Sequence, residues 1–242
     1  MTQLQRLTIS PSQIENQQIA LTPEQYHYLS RVLRLETDDR FIAMNGQGEW
    51  WLAKLVDQQA EIIEQITIKT ELPIAITLII ALPKNGFDEV VKQATELGVT
   101  KIMPVISDRT LLKPSSQKIE RWRRIATEAA EQSERQIVPE IIEPIPFKKS
   151  FSLVNQPKYI CYARGNSPHL LNYLIPTSNS AITIATGPEG GWTEREIQEA
   201  KEAQFQTVSL GKRILTAVLA PIVALSLVAA AAETECGQTF VG

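Results

Sequence analysis

The C-terminal part of the chain contains a long segment without charge. No charged side chain lies between Ile214 and Ala232, and Lys212 and Arg213 directly precede the segment. A helix of roughly 20 apolar residues can cross a bilayer, and basic residues often flank such a helix. The other structure that suits such a segment is a helix buried on most sides in a protein core. The segment therefore has two interpretations, a membrane anchor and a core helix.

Local features of this segment favour the core helix. Pro221 would disrupt a continuous spanning helix, whereas proline suits the first turn of a helix that begins near 219–221. The many alanines drive membrane insertion poorly but permit close helix packing. We therefore predict a loop over 210–215, then a helix buried against a sheet, and no membrane partner.

The rest of the chain predicts an α/β protein with two domains, 1–72 and 73–242. The first has short segments rich in β-branched and aromatic residues, and one helix that Thr22 caps, which together indicate a small β-barrel. In the second, an apolar run at 74–82 is followed by a helical pattern and another strand at 99–107. This β–α–β order predicts a parallel sheet covered by helices.

Composition excludes several classes of protein. The chain starts with a polar segment that lacks the apolar region of a secretory signal. Cys161 and Cys236 lie far apart and indicate free thiols of a reducing cytosol, so we predict a cytoplasmic protein. His27 and His169 are the only histidines, and without a Cys/His cluster we expect no metal site.

Two glycine-rich segments each follow a predicted strand. The first is Gly187-Pro188-Glu189-Gly190-Gly191, before a T-x-x-E capping box, and the second is Leu210-Gly211. Glycines let a ligand approach the backbone, and ligands of open α/β sheets bind at the carboxyl ends of strands. Neither a dinucleotide fingerprint nor a phosphate-binding G-K-[ST] loop is present. The acid at 189 would repel phosphate but tolerate a cation or a ribose hydroxyl. A plain tight turn is the structural alternative.

Charge is distributed unevenly along the chain. Residues 1–72 are net acidic and residues 84–124 are net basic, although the whole chain carries a formal charge of −3. A local basic face can bind phosphates. An ordinary solvated surface explains the same charges, so this feature alone does not predict a nucleic-acid partner.

Several motifs, in the right order, resemble one family. "GPEGGWTEREI" followed by "LGKRIL" resembles the RsmE family of 16S rRNA uridine-N3 methyltransferases, in the SPOUT superfamily. "ALPKNGFDEVVKQATELG" and "RWRRIATEAAEQSER" are similar to parts of its catalytic domain, and "HYLSRVLRL" is similar to part of its N-terminal domain. The resemblance thus covers nearly the whole chain.

The resemblance implies a fold, a cofactor and partners. The fold is α/β, a SPOUT-type trefoil-knotted parallel sheet domain preceded by a small PUA-like β-barrel that binds RNA. The cofactor is S-adenosylmethionine (SAM), and the partners are 16S rRNA of the small ribosomal subunit and a second copy of the chain. A third cofactor loop falls near Ala163–Gly165. The main cofactor-binding residues that the resemblance implies are Thr186, Gly187, Pro188, Glu189, Gly190, Gly191, Leu210, Gly211, Arg213, Ile214 and Leu215.

Methyl transfer to N3 of uridine needs removal of a weakly acidic proton, or stabilisation of the anion that develops on O2 and O4. We expect Glu189 to be the base and Arg213 the stabilising cation or a phosphate ligand, with loop bridging as the structural alternative for both. N3 lies on the Watson–Crick edge, so the target must be unpaired or flipped out. The candidate RNA contacts are Arg31, Arg34, Lys84 and Arg109.

The chain departs from the family pattern at one place. The family commonly has L-G-x-R-I-L-R-T-E-T-A, whereas this chain has Thr216, Ala217, Val218 and Leu219 in place of Arg, Thr, Glu and Thr. The change removes a cation expected to face the uridine or its phosphate. Two hypotheses follow, an active methyltransferase and an RNA-binding relative with weakened or lost methyl transfer.

Overall fold

The computed structural model describes residues 4–111, 114–174 and 180–236. The chain folds into two compact units. The first consists of Met1–Glu71 and Thr127–Val138, and the second of Leu72–Ala126 and Pro139–Gly242.

The first unit is built on a six-stranded sheet. Its strands are β1 (Arg6–Thr8), β2 (Ile14–Glu15), β3 (Gln18–Ala20), β4 (Arg40–Met44), β5 (Trp50–Val56) and β6 (Gln59–Ile66). The order is β1-β4-β5-β6-β3-β2, and every pair is antiparallel except β1 with β4. The sequence predicted β1, β4, β5 and β6. It did not predict β2 and β3, because two or three residues are too few to show an alternating pattern.

The helix of the first unit changes its type along its length. Thr22 forms the expected cap of α1 (Pro23–His27), and Gln25 completes a capping box with it. The helix continues as a π-helical turn over Tyr28–Val32, in which Leu33 N–H donates to the Tyr28 carbonyl at 2.9 Å. We predicted one regular α-helix here, because an apolar stripe does not reveal a widened turn. The wider turn leaves Leu29 fully buried.

The second unit is built on a parallel sheet, which confirms the predicted α/β class. Its elements are β7 (Ala75–Ala81), α2 (Phe87–Glu96), β8 (Val99–Ile106), α3 (Ser116–Gln132), β9 (Glu140–Ile141), β10 (Ile145–Pro146), α4 (Phe147–Ser150), β11 (Lys158–Cys161), α5 (Leu171–Leu174), β12 (Ala181–Thr186), α6 (Glu194–Glu202), β13 (Phe205–Val208) and α7 (Leu219–Cys236). The strand order is β10-β8-β7-β12-β11-β13, with β9 on β8, and every pair is parallel. The sequence did not predict β9, β10, α4 or α5, which have two to four residues each.

Thr127–Val138, which includes the last residues of α3, belongs to the first unit. Ala130 of α3 lies in one apolar cluster with Ile42, Met44 and Trp50. The Glu71 carboxylate accepts hydrogen bonds from the Arg135 side chain at 2.6 Å and from the backbone N–H groups of 136 and 137 at 2.8 and 3.0 Å. The first unit therefore includes a segment that lies more than 50 residues after Glu71 in the sequence, Thr127–Val138.

The uncharged segment forms α7, which begins at Leu219 as predicted. Ala224, Leu225 and Val228 of this helix are buried, and the helix contacts α2, α5 and β12. Just before it, Val218 packs against Gly86 so closely that a Cβ on that glycine would lie 2.9 Å from Val218 Cγ1. None of the described helices has both the length and the hydropathy that a bilayer-spanning helix needs.

Candidate cofactor site

One cleft lies at the carboxyl ends of β11, β12 and β13. Because these strands are parallel and β11 pairs with both others, the loops that follow them meet at one edge of the sheet. Residues 161–164, 187–192 and 210–217 line the cleft, except Lys212, and Ala220 of α7 adds to the lining. This is the edge at which open α/β sheets bind their ligands.

The first glycine loop is held in place from several sides. Gly191 N–H donates to the Pro188 carbonyl at 2.8 Å, and the φ of +69° at Gly191 favours glycine there. Arg109 Nη1 donates to the Gly190 carbonyl at 2.6 Å. After the loop, Thr193 and Glu196 form the predicted capping box of α6. The loop backbone is thus fixed rather than dependent on a ligand for its shape.

An ion pair and a hydrogen bond join the loop after β8 to the start of α6, directly after the glycine loop. Arg195 Nη2 donates to Asp108 Oδ1 at 2.6 Å, and Asp108 N–H donates to Glu196 Oε1 at 2.9 Å. The hydrogen bond from Arg195 holds the pKa of Asp108 below its ordinary value, and the same pairing raises the pKa of Arg195. Both side chains therefore stay charged around neutral pH, and the loop after β8 stays attached to the start of α6.

The second glycine loop runs from β13 to α7. Gly211 N–H donates to Ser209 Oγ at 3.0 Å, and the φ of +115° at Gly211 favours glycine. Thr216 ends the loop and caps α7, because its Oγ1 accepts a hydrogen bond from Leu219 N–H at 3.2 Å. Ala217 is buried beside it. The loop therefore places backbone and small side chains against the cleft.

The third loop follows β11 and carries Tyr162 and Arg164 into the lining. Gly165 turns over the ring of Tyr162, since a Cβ on that glycine would lie 2.6 Å from Tyr162 Cδ1. Cys161 lines the cleft at the strand end, and burial raises the pKa of its thiol to about 12. This thiol is neutral at physiological pH, so it is not an activated nucleophile.

The structure places the predicted residues in different parts of the molecule. All the predicted cofactor residues except Thr186 line the cleft, and Thr186 is fully buried at the end of β12. Glu189 lines it too, but its Oε1 accepts a hydrogen bond from Lys84 N–H at 2.8 Å. Of the predicted RNA contacts, Lys84 and Arg109 therefore both touch the first glycine loop. Arg31 and Arg34 are exposed in the other unit, where Arg34 has a φ of +58°.

Sequence reasoning did not single out several residues of the lining. Tyr162 lies in no motif, and only the third loop candidate, at a strand end, covered Arg164. Trp192, Ala217 and Ala220 lie in segments that were compared with the family pattern, but no place in the cleft was predicted for them. Trp192 is 6% exposed and stacks on Phe147 with ring centroids 4.2 Å apart. Within the described ranges, no group of three His, Cys, Asp or Glu side chains could hold a metal ion.

Two family models match this chain. Residues 70–229 match the RNA methyltransferase domain, and residues 21–64 match the RNA methyltransferase PUA domain. The ribosomal RNA small subunit methyltransferase E of Synechocystis is 48% identical over 95% of this chain and 78% of its own length. The enzyme of the same name from Bacillus subtilis is 29% identical over 90% of this chain and 92% of its own length.

Solved structures give the same result. A ribosomal RNA small subunit methyltransferase E from Neisseria gonorrhoeae, bound to SAM, superposes with a TM-score of 0.84 and 32% identity over 93% of this chain and 96% of that chain. A methyltransferase from Legionella pneumophila in complex with SAM has a TM-score of 0.84 and 27% identity, covering 95% of this chain and 98% of that one.

The parallel sheet, the cleft at its carboxyl edge and the two matching domains define an RNA methyltransferase with an N-terminal PUA domain. More specifically, the chain belongs to the ribosomal RNA small subunit methyltransferase E family. The family resemblance seen in the sequence motifs is thereby confirmed.

Proposed function

We propose that this chain transfers a methyl group from SAM to N3 of a specific uridine in 16S rRNA of the small ribosomal subunit. The observation that carries the proposal is that both glycine loops line the same cleft, in a chain that belongs to this family. The SAM-bound relatives from Neisseria gonorrhoeae and Legionella pneumophila support the choice of cofactor.

The chemistry of the lining fits SAM. Leu210, Ile214 and Leu215 offer apolar surface for an adenine ring, and the glycines expose backbone groups for the polar parts of the ligand. Gly187 packs closely against Trp192, because a Cβ there would lie 3.1 Å from Trp192 Nε1. Bound SAM supplies an electrophilic methyl group on a sulfonium. The fixed loops orient it, and alignment of the two reactants accounts for much of the rate.

Glu189 and Arg213 are the proposed catalytic side chains. Arg213 stabilises the negative charge that develops on O2 and O4 of uracil as N3 loses its proton. Glu189 accepts that proton, while its hydrogen bond from Lys84 N–H fixes the carboxylate. The alternative role of Glu189, as a bridge between the loops after β7 and β12, uses the same hydrogen bond.

We further propose that residues 1–72 form the RNA-binding PUA-like domain and residues 73–242 the methyltransferase domain, with the family's trefoil knot at its C-terminal end. Arg31 and Arg34 bind RNA phosphates in the first domain, and Lys84 and Arg109 do so in the second, Arg109 with the guanidinium N–H groups that its hydrogen bond to the Gly190 carbonyl leaves over. Exposed cations bind the RNA backbone in a salt-dependent way without reading its sequence. The target uridine is unpaired or flipped into the cleft.

The proposed active form is a cytoplasmic homodimer. One face of α7 leaves Leu219, Val223, Ser226 and Ala230 partly or fully exposed at helical spacing. Ile214, next to this helix, is 73% exposed. A second copy of the chain would cover this apolar face, since solvent-exposed apolar patches commonly mark interfaces.

The test is a methylation assay with tritiated SAM on small subunits and on naked 16S rRNA from cells that lack the modification. We expect label in 3-methyluridine at one position, identified by nuclease mapping and mass spectrometry of the nucleosides. Absence of label, with SAM bound in a calorimetric control, would reject the enzyme and leave the RNA-binding relative, for which the departure at Thr216 is the sequence argument.

A further inference from the structure

We propose that Arg164 binds a phosphate of the substrate RNA at the mouth of the cleft. This inference rests on the proposed function and adds an RNA contact in the loop that the family resemblance assigned only to the cofactor. Arg164 follows β11 and lines the cleft together with Arg213, which belongs to the loop after β13. Both side chains are exposed.

Arg164 and Arg213 differ from the other arginines close to this sheet edge. Arg109 is bound to the Gly190 carbonyl, and Arg195 is paired with Asp108. Arg164 and Arg213 make no hydrogen bond or ion pair with any residue that the structure describes. A guanidinium stays protonated at all physiological pH values. The cleft therefore holds two positive charges that these residues do not neutralise.

The charges of the proposed cofactor do not neutralise both guanidinium groups. SAM carries a sulfonium and an ammonium group, which arginine repels, and one carboxylate, which a single guanidinium can bind in a bidentate way. Glu189 is the one acid in the lining, and its carboxylate already accepts the Lys84 N–H. At least one guanidinium is thus left for an anion from outside, and the RNA backbone supplies one at every nucleotide.

The geometry assigns that anion to Arg164 rather than to Arg213. Arg213 Nη2 lies over the second glycine loop, 3.7 Å from where a Cβ on Gly211 would be. It is therefore close to backbone proposed to hold SAM. Arg164 instead extends from a tight turn over the Tyr162 ring, in a loop that remains exposed. Arg164 lies in the third loop, which the family resemblance also assigns to the cofactor, but its exposed guanidinium is open to an RNA strand that passes the cleft.

The experiment compares Arg164→Ala with Lys201→Ala, which removes an exposed cation from α6 outside the cleft lining. Affinity for a 16S rRNA fragment is measured over a series of salt concentrations, and SAM affinity is measured by calorimetry. For Arg164→Ala we expect RNA binding about three- to tenfold weaker and a salt slope smaller by about 1. SAM affinity should stay within about twofold of the wild type. Arg164→Lys should restore most of the salt slope, because it restores the charge.

Two results would overturn the inference. One is unchanged RNA affinity and salt slope in Arg164→Ala. The other is a tenfold or larger loss of SAM affinity with RNA binding intact, which would make Arg164 the ligand of the cofactor carboxylate. Failure of the proposed function looks different, because the wild-type chain itself would then give no methylated uridine. A wild type that methylates RNA beside an indistinguishable Arg164→Ala variant rejects only the role of Arg164.

Discussion

Two alternative roles are proposed for Glu189, general base and bridge between two loops, and one substitution distinguishes them. Its carboxylate accepts the Lys84 N–H, and an amide oxygen accepts the same hydrogen bond. For Glu189→Gln we therefore expect the loop and SAM affinity to be preserved, and methyl transfer at saturating RNA to fall about 100-fold through loss of the base. Single-turnover rates and calorimetry measure the two quantities. A variant that keeps the wild-type rate would show that Glu189 only bridges the two loops.

Thr216 explains part of the departure from the family pattern. This chain has apolar Ala217, Val218 and Leu219 where the family pattern has polar residues, and the Thr216 hydroxyl instead accepts the Leu219 N–H at the start of α7. The side chain that replaces the arginine thus serves as a helix cap. This hydrogen bond joins residues only three positions apart, but the loss of a motif residue does not by itself indicate such a capping role.

The cap predicts a measurable loss of stability. Thr216→Ala leaves the Leu219 N–H without its side-chain acceptor, and loss of an N-cap typically costs about 1 kcal/mol. For a chain of this size we expect the Tm to fall by roughly 2–4 °C. Thr216→Ser, which keeps the hydroxyl, is the matched control and should stay close to the wild type. Equal melting temperatures for the alanine and serine variants would contradict the capping role.

At the scale of elements, local patterns predicted those strands and helices that have a long apolar run or a clear capping motif. The apolar run before α2 and the capping box of α6 gave elements close to their observed bounds. The shortest elements, such as β9 and β10, form because each pairs with β8 in the folded sheet. Their sequences carry too few residues to reveal that pairing.

The candidate site divides in the same way. The two glycine loops were visible because a strand followed by glycines is a local pattern. The clamp from Arg109 to Gly190 joins residues 81 positions apart, so no spacing rule indicates it. Arg164 has no partner among the residues that the structure describes, and this could be recognised only once the partners of the neighbouring arginines were known.

Helix α7 provides the test of the proposed dimer. Ser226 lies exposed in the middle of its apolar stripe, so a large charged side chain there can be accommodated by the monomer but not by a close helix contact. We expect Ser226→Arg to be folded and monomeric in light scattering coupled to gel filtration, where the wild type is a dimer. Gln198→Arg, at an exposed position of α6, is the control and should remain a dimer. A dimeric Ser226→Arg variant would place the interface elsewhere.

At the scale of the whole molecule, sequence order and structural units do not coincide. The pattern of short strands ends near residue 71, yet Thr127–Val138 belongs to the same unit as those strands. Two contacts between distant parts of the chain hold Thr127–Val138 in this unit. Gly46 lacks a side chain that would collide with Val138, and the Glu71 carboxylate collects three hydrogen bonds from Arg135 and the two residues after it. Neither feature resembles a domain boundary in the sequence.

This arrangement predicts how an isolated N-terminal fragment behaves. A fragment of residues 1–72 lacks Ala130 and Val138, which pack with Trp50 and its neighbours, and it leaves Glu71 without its donors. Small domains have little stability in reserve, so we expect broad, weakly cooperative thermal unfolding and poorly dispersed amide resonances. Attaching residues 127–138 to the fragment through a flexible glycine–serine linker should restore a sharp transition. A cooperative transition in the bare fragment, with the Tm of the linked one, would show that these residues add nothing to the fold of the unit.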